Sequence, residues 1–398
     1  MTTHFRLFLT EDAHLVHEAQ ALGVEYVDEA ELDHIVEHES ELRFELKQSG
    51  TTFDYRVRFL IDATGPRGLL HHAFSLPEAT LPNYPETQAL YSHFSGVVLP
   101  EPAGNVDPQQ EPPYPAEAAA VHHIFDGGWI WVLRFNNGIT SAGVAATKAM
   151  SEHLQLRKGE NAWSNLLNLI PNLKDQFTTA QSGQPFRFAP KLSFLSGRIC
   201  GRRWVMLPSA AGFIDPLLST GFPLTLLGIA RLAHIIEHDW GSAAFDSKLQ
   251  TYATQTTDEL LATARLIASL YANMNNFPVF ASLTLLYFAA ASYAETARRL
   301  GKPQVANSFL LYDHVSFGVA SKTLVERAMH ITPGSESTLL REDILQAIKP
   351  FDVAGLSHPD KRNWYPVVAE DLLGSASKIG SDREEIASFL QRCGFYPP

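Results

Sequence analysis

The hydrophobic positions change period along the chain, and the changes divide it into regions. Leu15, Ala19 and Leu22 recur near helical spacing and Gly23 follows as a stop, which predicts a helix over residues 10–22. Strand chemistry follows in three stretches: VEYVDEA over 24–30, the alternating LDHIVEHESELRFELK over 32–47, and YRVRFLIDATG over 55–65, with QSGTT as a turn before the last. The third stretch passes from alternation to a continuous apolar run at Phe59, Leu60 and Ile61, as a strand does on entering a sheet covered on both faces.

Residues 76–118 are rich in proline and predict loop around one strand, ALYSHFSGVVL, with a disorder candidate at 101–114. Beyond them lies the clearest hairpin pattern. AAAVHHIF, the turn Asp126-Gly127-Gly128, WIWVLRF, the turn Asn136-Asn137-Gly138 and ITSAGVAA alternate strand with turn chemistry and predict an antiparallel meander. ENAWSNLLNLIPNLKDQF reads as a helix broken at Pro171, and RWVMLPSAAGF as a short apolar strand running into a loop. From Gly221 onward the period is helical. The most apolar stretch, residues 277–294, carries Ser282, Thr284, Ser292 and two tyrosines, and reads as a buried or surface-docked helix rather than a membrane span.

Composition narrows the class. A formal charge of −12 without a Lys/Arg run excludes a phosphate-binding face of the kind nucleic acid needs. Two distant cysteines, Cys200 and Cys393, supply no zinc spacing and fit a reducing cytoplasm, and the first residues lack the pattern of a signal peptide. The pairs His71-His72 and His122-His123 read as solvated or core histidines, and the acidic run 28–41 as an exposed strand face; no metal site is expected.

The candidate chemistry lies in WVMLPSAAGFIDPLLSTGFPLTLLG, residues 204–228. Ser209, Ala210, Ala211 and Gly212 are small enough to let a flat ligand approach the backbone, and Asp215-Pro216 fixes a turn. Ser219, Thr220 and Gly221 then read as a helix cap, whose free N–H groups suit an electron-rich ring edge or a halide. Gly221 is the position expected to need both the missing side chain and a backbone conformation reserved for glycine. The same pattern also describes a ligand-free strand-to-helix turn.

AAGFIDPLLSTG resembles the flavin-proximal motif of the FAD-dependent monooxygenase and halogenase superfamily, IDATG at 61–65 resembles the strand end beside the FAD there, and the tryptophans of GWIW at 128–131 resemble the halogenase Gly-Trp-x-Trp-x-Ile-Pro signature. The order of these motifs, with hairpins between and a helical tail after, resembles the family over residues 10–320. What the resemblance implies is an α+β protein. It has a partial FAD-binding α/β layer of the monooxygenase type (1–75 and 186–240), an antiparallel β-sheet substrate layer (76–185) and a helical carboxy-terminal region (241–398). The resemblance also implies FAD contacts from Asp62, Gly65, Ser209, Ala210, Ala211, Asp215, Pro216, Thr220 and Gly221, halide at the Thr220 and Gly221 amides, and a substrate side walled by Trp129 and Trp131.

The departures are equally specific. Pro208-Ser209 stands where the family carries the Gly-Asp that binds the ribityl chain, Leu133-Arg134 replaces the closing Ile-Pro, and Leu218 replaces the glutamate of tryptophan halogenases. These point away from tryptophan itself as substrate. No GxGxxG occurs in the 398 residues, so the βαβ unit that receives the FAD pyrophosphate is not found, and the family's halogenating lysine, which lies upstream, has no assigned counterpart. The expectation is therefore weak or absent FAD binding by this chain alone, with an amino-terminal FAD-binding segment supplied in trans or by a longer chain. The complete form would be an FAD- and NAD(P)H-dependent oxidoreductase, a monooxygenase or halogenase acting on a small aromatic or carrier-bound substrate. A non-catalytic binding or scaffold remnant of the same fold and a lipid-modifying flavin reductase remain the alternatives.

Overall fold

A computed structural model describes residues 5–98, 120–331, 334–358 and 368–394, with side chains from residue 13. The disorder candidate at 101–114 lies outside them. Helix α1 (Phe5–Ala21) leads into an antiparallel sheet of β1 (Ala30–Glu37), β2 (Leu42–Gln48) and β3 (Thr51–Val57). The strand pattern here was divided differently from its sequence reading. Residues 24–28 are not a strand, and Val24 and Tyr26 are exposed because nothing packs on them. LDHIVEHESELRFELK folds back on itself through a turn closed by the His38 amide donating to the Glu41 carbonyl at 2.9 Å, a polar turn without glycine or proline to announce it. YRVRFLIDATG also divides. β3 ends at Val57, and β4 (Leu60–Asp62) leaves the antiparallel sheet to pair in parallel with a strand far along the chain, so the change of period at Phe59 marks a break between strands.

After α2 (Leu69–Ala73) comes the large sheet, of β5 (Thr87–Ser95), β6 (Val121–Phe125), β7 (Gly128–Arg134) and β8 (Thr140–Thr147). Its meander forms as its turns dictate. Gly127 and Gly138 take positive φ of 74° and 81°, and the Asn137 side chain accepts from the Ile139 amide at 3.0 Å. Period-two alternation then sends the strands' two faces into different cores. Leu90, Ile130, Ala142, Val144 and Ala146 pack beneath Trp163, Leu166 and Phe177, which come from α4 (Glu160–Leu169) and the residue ending α5 (Pro171–Gln176), the two helices that follow α3 (Lys148–His153). Pro171 separates α4 from α5, as its missing N–H requires. The other face, with Trp129 and Ala145, joins the main core.

Short strands β9 (Gln181–Ser182) and β10 (Arg187–Ala189) extend this sheet along β5. β11 (Phe194–Leu195) precedes β12 (Trp204–Met206), the parallel partner of β4. α6 (Pro208–Ala211) is a single turn where loop was expected, begun by a proline at a position that needs no N–H. β13 (Gly212–Phe213) pairs with β11 and is followed by the long helices α7 (Gly221–Asp239), α8 (Phe245–Ala272) and α9 (Phe277–Arg299). α7 and α9 are each long and apolar enough to cross a membrane by length and composition. α9 is buried over most of its length, through residues such as Leu283, Leu286, Ala290 and Ala297, which makes it a core helix of this fold. The remaining helices, α10 (Phe317–Ala328), α11 (Ser335–Ile348), α12 (Ala369–Gly374) and α13 (Arg383–Arg392), pack in the same core. Among the described residues the architecture is mixed α/β, with antiparallel sheets and one parallel strand pair.

Candidate active site

The parallel pair β4 and β12 organises the site, because both strands end at the same level, Asp62 opposite Met206. Segments leaving their carboxyl ends therefore meet. A cavity of about 380 Å³ opens there, lined by Pro66, by Pro208, Ser209, Gly212, Phe213, Ile214 and Asp215, and by Thr220, Gly221, Phe222, Leu224 and Thr225 at the start of α7, with Leu260 behind. Its size lies in the range of small-molecule sites, and a crevice outside the carboxyl ends of parallel strands is where open α/β sheets bind ligands.

Of the residues expected at the site, Ser209, Asp215, Thr220 and Gly221 line this cavity together. Ser209 is half-buried, and its hydroxyl has no protein partner among the described residues. Gly221 offers open space, since a β-carbon there would meet nothing within 4 Å. It lies outside the left-handed region, so glycine is not required there for backbone reasons. The positive φ falls one turn earlier, at Leu218 (64°) and Ser219 (51°). Thr220 occupies the cap position with helical φ of −65° and makes no side-chain cap bond, leaving the first amides of α7 without that partner.

The others lie elsewhere. Asp62 is buried, and its carboxylate accepts from the Thr64 amide (2.8 Å), the Thr64 hydroxyl (2.7 Å) and the Leu70 amide (2.9 Å). With Thr64 Oγ1 accepting from the Leu69 amide at 2.7 Å, these side chains cap α2. Gly65, at φ +87°, makes the turn that places Pro66 on the cavity wall. Ala210 and Ala211 are fully buried and turn into the core. Their smallness serves packing, as does that of Gly228 on α7, where a β-carbon would stand 2.4 Å from the Pro208 ring. Pro216 accepts the Ser219 amide at 3.0 Å and closes the turn.

The tryptophans stand behind the cavity. Trp129 is 1 % exposed, and its indole Nε1 donates toward Asp215 Oδ1 (3.3 Å) and the Tyr271 hydroxyl (3.1 Å). The Tyr271 hydroxyl in turn donates to Asp215 Oδ2 at 3.0 Å, and the Leu217 amide donates to Oδ1 at 3.0 Å. Tyr84 joins from the side, its hydroxyl donating to the Ile214 carbonyl at 3.3 Å. Burial pushes the Asp215 carboxyl up to about 6, against the opposing pull of these hydrogen bonds. Trp131 lies over Gly143 of β8, where a β-carbon would come within 2.4 Å of the indole, and its ring centre is 5.5 Å from that of Trp129. His122 rests on Trp129 at 4.6 Å, and burial pushes it down to about 4, so it is neutral near pH 7. His71 and His72 sit on α2, and no cluster of three metal-ligating side chains occurs among the described residues. Tyr271 is the member that sequence reasoning missed, because a tyrosine in an apolar helix carries the same signal whether its hydroxyl is used or not.

A sequence profile described as tryptophan halogenase matches residues 9–277, and the chain belongs to this family. Among curated proteins it is 26% identical over 249 residues to tetracycline 7-halogenase from Kitasatospora aureofaciens, an alignment covering 59% of this chain and 44% of the relative. It is 29% identical over 182 residues to monodechloroaminopyrrolnitrin halogenase PrnC from Pseudomonas fluorescens, covering 44% of this chain and 31% of that one. The chain thus spans less than half the length of these relatives. Among solved structures, the halogenase PltM in complex with phloroglucinol and FAD shares the fold, with a TM-score of 0.71 at 19% identity over 89% of this chain and 75% of that one.

The fit of these residues to FAD divides by region. The apolar cavity, the free Ser209 hydroxyl and the open space at Gly221 suit a flavin ring. The carboxylates of Asp62 and Asp215, which a ribityl chain would need, are spent on internal hydrogen bonds, and no glycine-rich turn for a pyrophosphate is found among the described residues.

Proposed function

We propose that this chain carries the ring side and the substrate side of an FAD-dependent halogenase acting on a small aromatic or carrier-bound substrate. The pyrophosphate cradle would be contributed by a βαβ segment lying beside β4. The observation that carries the reading is the convergence of Pro66, Ser209, Asp215, Thr220 and Gly221 on one apolar cavity at the carboxyl ends of a parallel strand pair. When bound and reduced by NAD(P)H, FAD supplies the oxygen chemistry that oxidises a halide. The chain's own residues position and shield that chemistry. The Thr220 and Gly221 amides at the amino end of α7 favour an anion, while Phe213, Ile214, Leu224 and Leu260 exclude water. Trp131 would face the substrate side from β7, with the buried Trp129 packed behind it.

The edge of β4 supports an additional strand beside it. Among the described residues β4 pairs only with β12, and Ile61 on it is 46 % exposed. Nearby on α7, Phe222 (73 %), Leu226 (51 %) and Ile229 (45 %) form an exposed apolar stripe at i, i+4, i+7 spacing. Parallel sheets are covered on both faces, so an additional parallel strand with its crossover helix would bury this stripe. Co-expression with a family βαβ segment raises solubility and flavin content under this reading. Unchanged solubility and flavin content would remove it.

A further inference from the structure

The Asp215 carboxylate has two oxygens and unequal support. Oδ1 accepts from the Leu217 amide and the Trp129 indole, whereas Oδ2 accepts from the Tyr271 hydroxyl, with the Tyr84 hydroxyl also drawn toward the carboxylate. That hydroxyl also accepts from the Trp129 indole. A phenylalanine would fill the same space on α8, so the hydroxyl is the only part of Tyr271 that packing does not account for. The hydroxyl, carried on helix α8, thus joins two partners from separate parts of the molecule, Trp129 on the aromatic strand β7 and Asp215 at the turn that leads into α7.

We propose that Tyr271 is a positioning residue whose hydroxyl, bridging Asp215 and Trp129, holds the Leu217–Thr220 turn and strand β7 in one fixed register. The two sides of the cavity are thereby set relative to each other, which rests on the reading of that cavity as the flavin-ring site. The turn needs such a hold, because Leu218 and Ser219 both sit at positive φ, a conformation that non-glycine residues keep only when their surroundings enforce it. No lysine or arginine hydrogen-bonds Asp215 among the described residues. The ionisable neighbours are Tyr84 and Tyr271, both pushed upward chiefly by burial, and His122 across the Trp129 ring, held neutral by burial. Asp215 is thus the group of the network whose charge changes around pH 6, while His122 changes charge lower, near 4.

The test needs no flavin, so it stands whether or not the chain binds one. The full chain, labelled with ¹⁵N, is titrated from pH 4.5 to 8 while the Trp129 indole N–H and the Leu217 to Gly221 amides are followed by NMR, with Trp129→Phe identifying the indole signal. In the parent, the indole and Leu217 signals move together with a midpoint near 6. Tyr271→Phe shifts the indole and the turn amides together and raises the midpoint by about one unit, the effect of losing one hydrogen bond to a carboxylate. Asp215→Asn removes the titration from both. Tyr252→Phe deletes another buried hydroxyl, bonded to the Met206 carbonyl at 3.0 Å, and leaves the Trp129 and turn signals in place. Parent indole and Leu217 signals that titrate with different midpoints would overturn the proposal without any variant. So would Tyr271→Phe signals at parental positions, or equal shifts from Tyr252→Phe.

Discussion

The Trp129 indole and the Asp215 carboxylate, 86 residues apart in sequence, lie 3.3 Å from each other in the fully buried centre of the protein. This contact ties the aromatic strand of the hairpin sheet to the Asp-Pro turn at the cavity. Two of the three motifs that resemble the halogenase family, the GWIW strand and the Asp-Pro turn, are therefore one structural unit rather than independent signatures. An aspartate serves here because Oδ1 accepts the Leu217 amide beside the indole while the second oxygen accepts the Tyr271 hydroxyl.

The raised Asp215 carboxyl makes stability depend on pH. Its folded value of about 6 lies above the ordinary 3.8, so the folded state holds the proton more tightly. The favourable contribution is present below pH 3.8 and is lost as pH rises through 6. Asp215→Asn keeps an acceptor for Leu217 and Trp129 and never ionises. Relative to the parent it gains about 2–3 kcal/mol between pH 4 and pH 7.5. Urea unfolding at both pH values checks this, and an unchanged difference between parent and variant would remove the buried-charge argument.

Gly228 marks the tightest approach of α7 to the turn at α6, with the Pro208 ring in the way of any side chain. Both atoms belong to stiff structure, so Gly228→Ala destabilises by about 1–3 kcal/mol despite alanine's better helix propensity. A melting temperature equal to or above that of the parent would show that α7 can shift freely.

Ser219 is exposed and at φ 51°, so relief of strain is available there without loss of packing. Ser219→Gly stabilises by about 0.5–1 kcal/mol, less whatever entropy the unfolded chain gains. Chemical denaturation reads the sign, and destabilisation would mean that the serine makes an interaction of its own.

What the sequence made legible was what short-range chemistry controls. The hairpins were readable because Asp126-Gly127 and Asn137-Gly138 force their turns, and the α4–α5 break because proline removes a donor. The first strands were misdivided because the turn at 38–41 is built from polar residues without glycine or proline, and because β3 and β4 follow one another without a turn residue between. At the site, the residues around 209–221 were readable as a cluster through their small size and the Asp-Pro turn. The roles of Asp62, as a cap for α2, and of Asp215, as the hub of a buried network, depend on partners 8 and 56 residues away. Glycine at 221 was expected to be a backbone necessity, but the strained positions are Leu218 and Ser219, which no residue-type rule would single out.

Under the proposed function these 398 residues offer the flavin-ring side of a halogenase site, and the pyrophosphate cradle comes from another segment. Titrating the chain with FAD and with riboflavin, side by side, separates the two halves of the cofactor. The account predicts a protein that purifies colourless and binds both flavins weakly, within about threefold of each other. Gly221→Val, which folds normally because its side chain enters open space, weakens both by about tenfold or more, roughly 1.4 kcal/mol. Stoichiometric FAD retained through gel filtration, or FAD bound a hundredfold tighter than riboflavin, would contradict it by showing that a phosphate cradle is present in this chain.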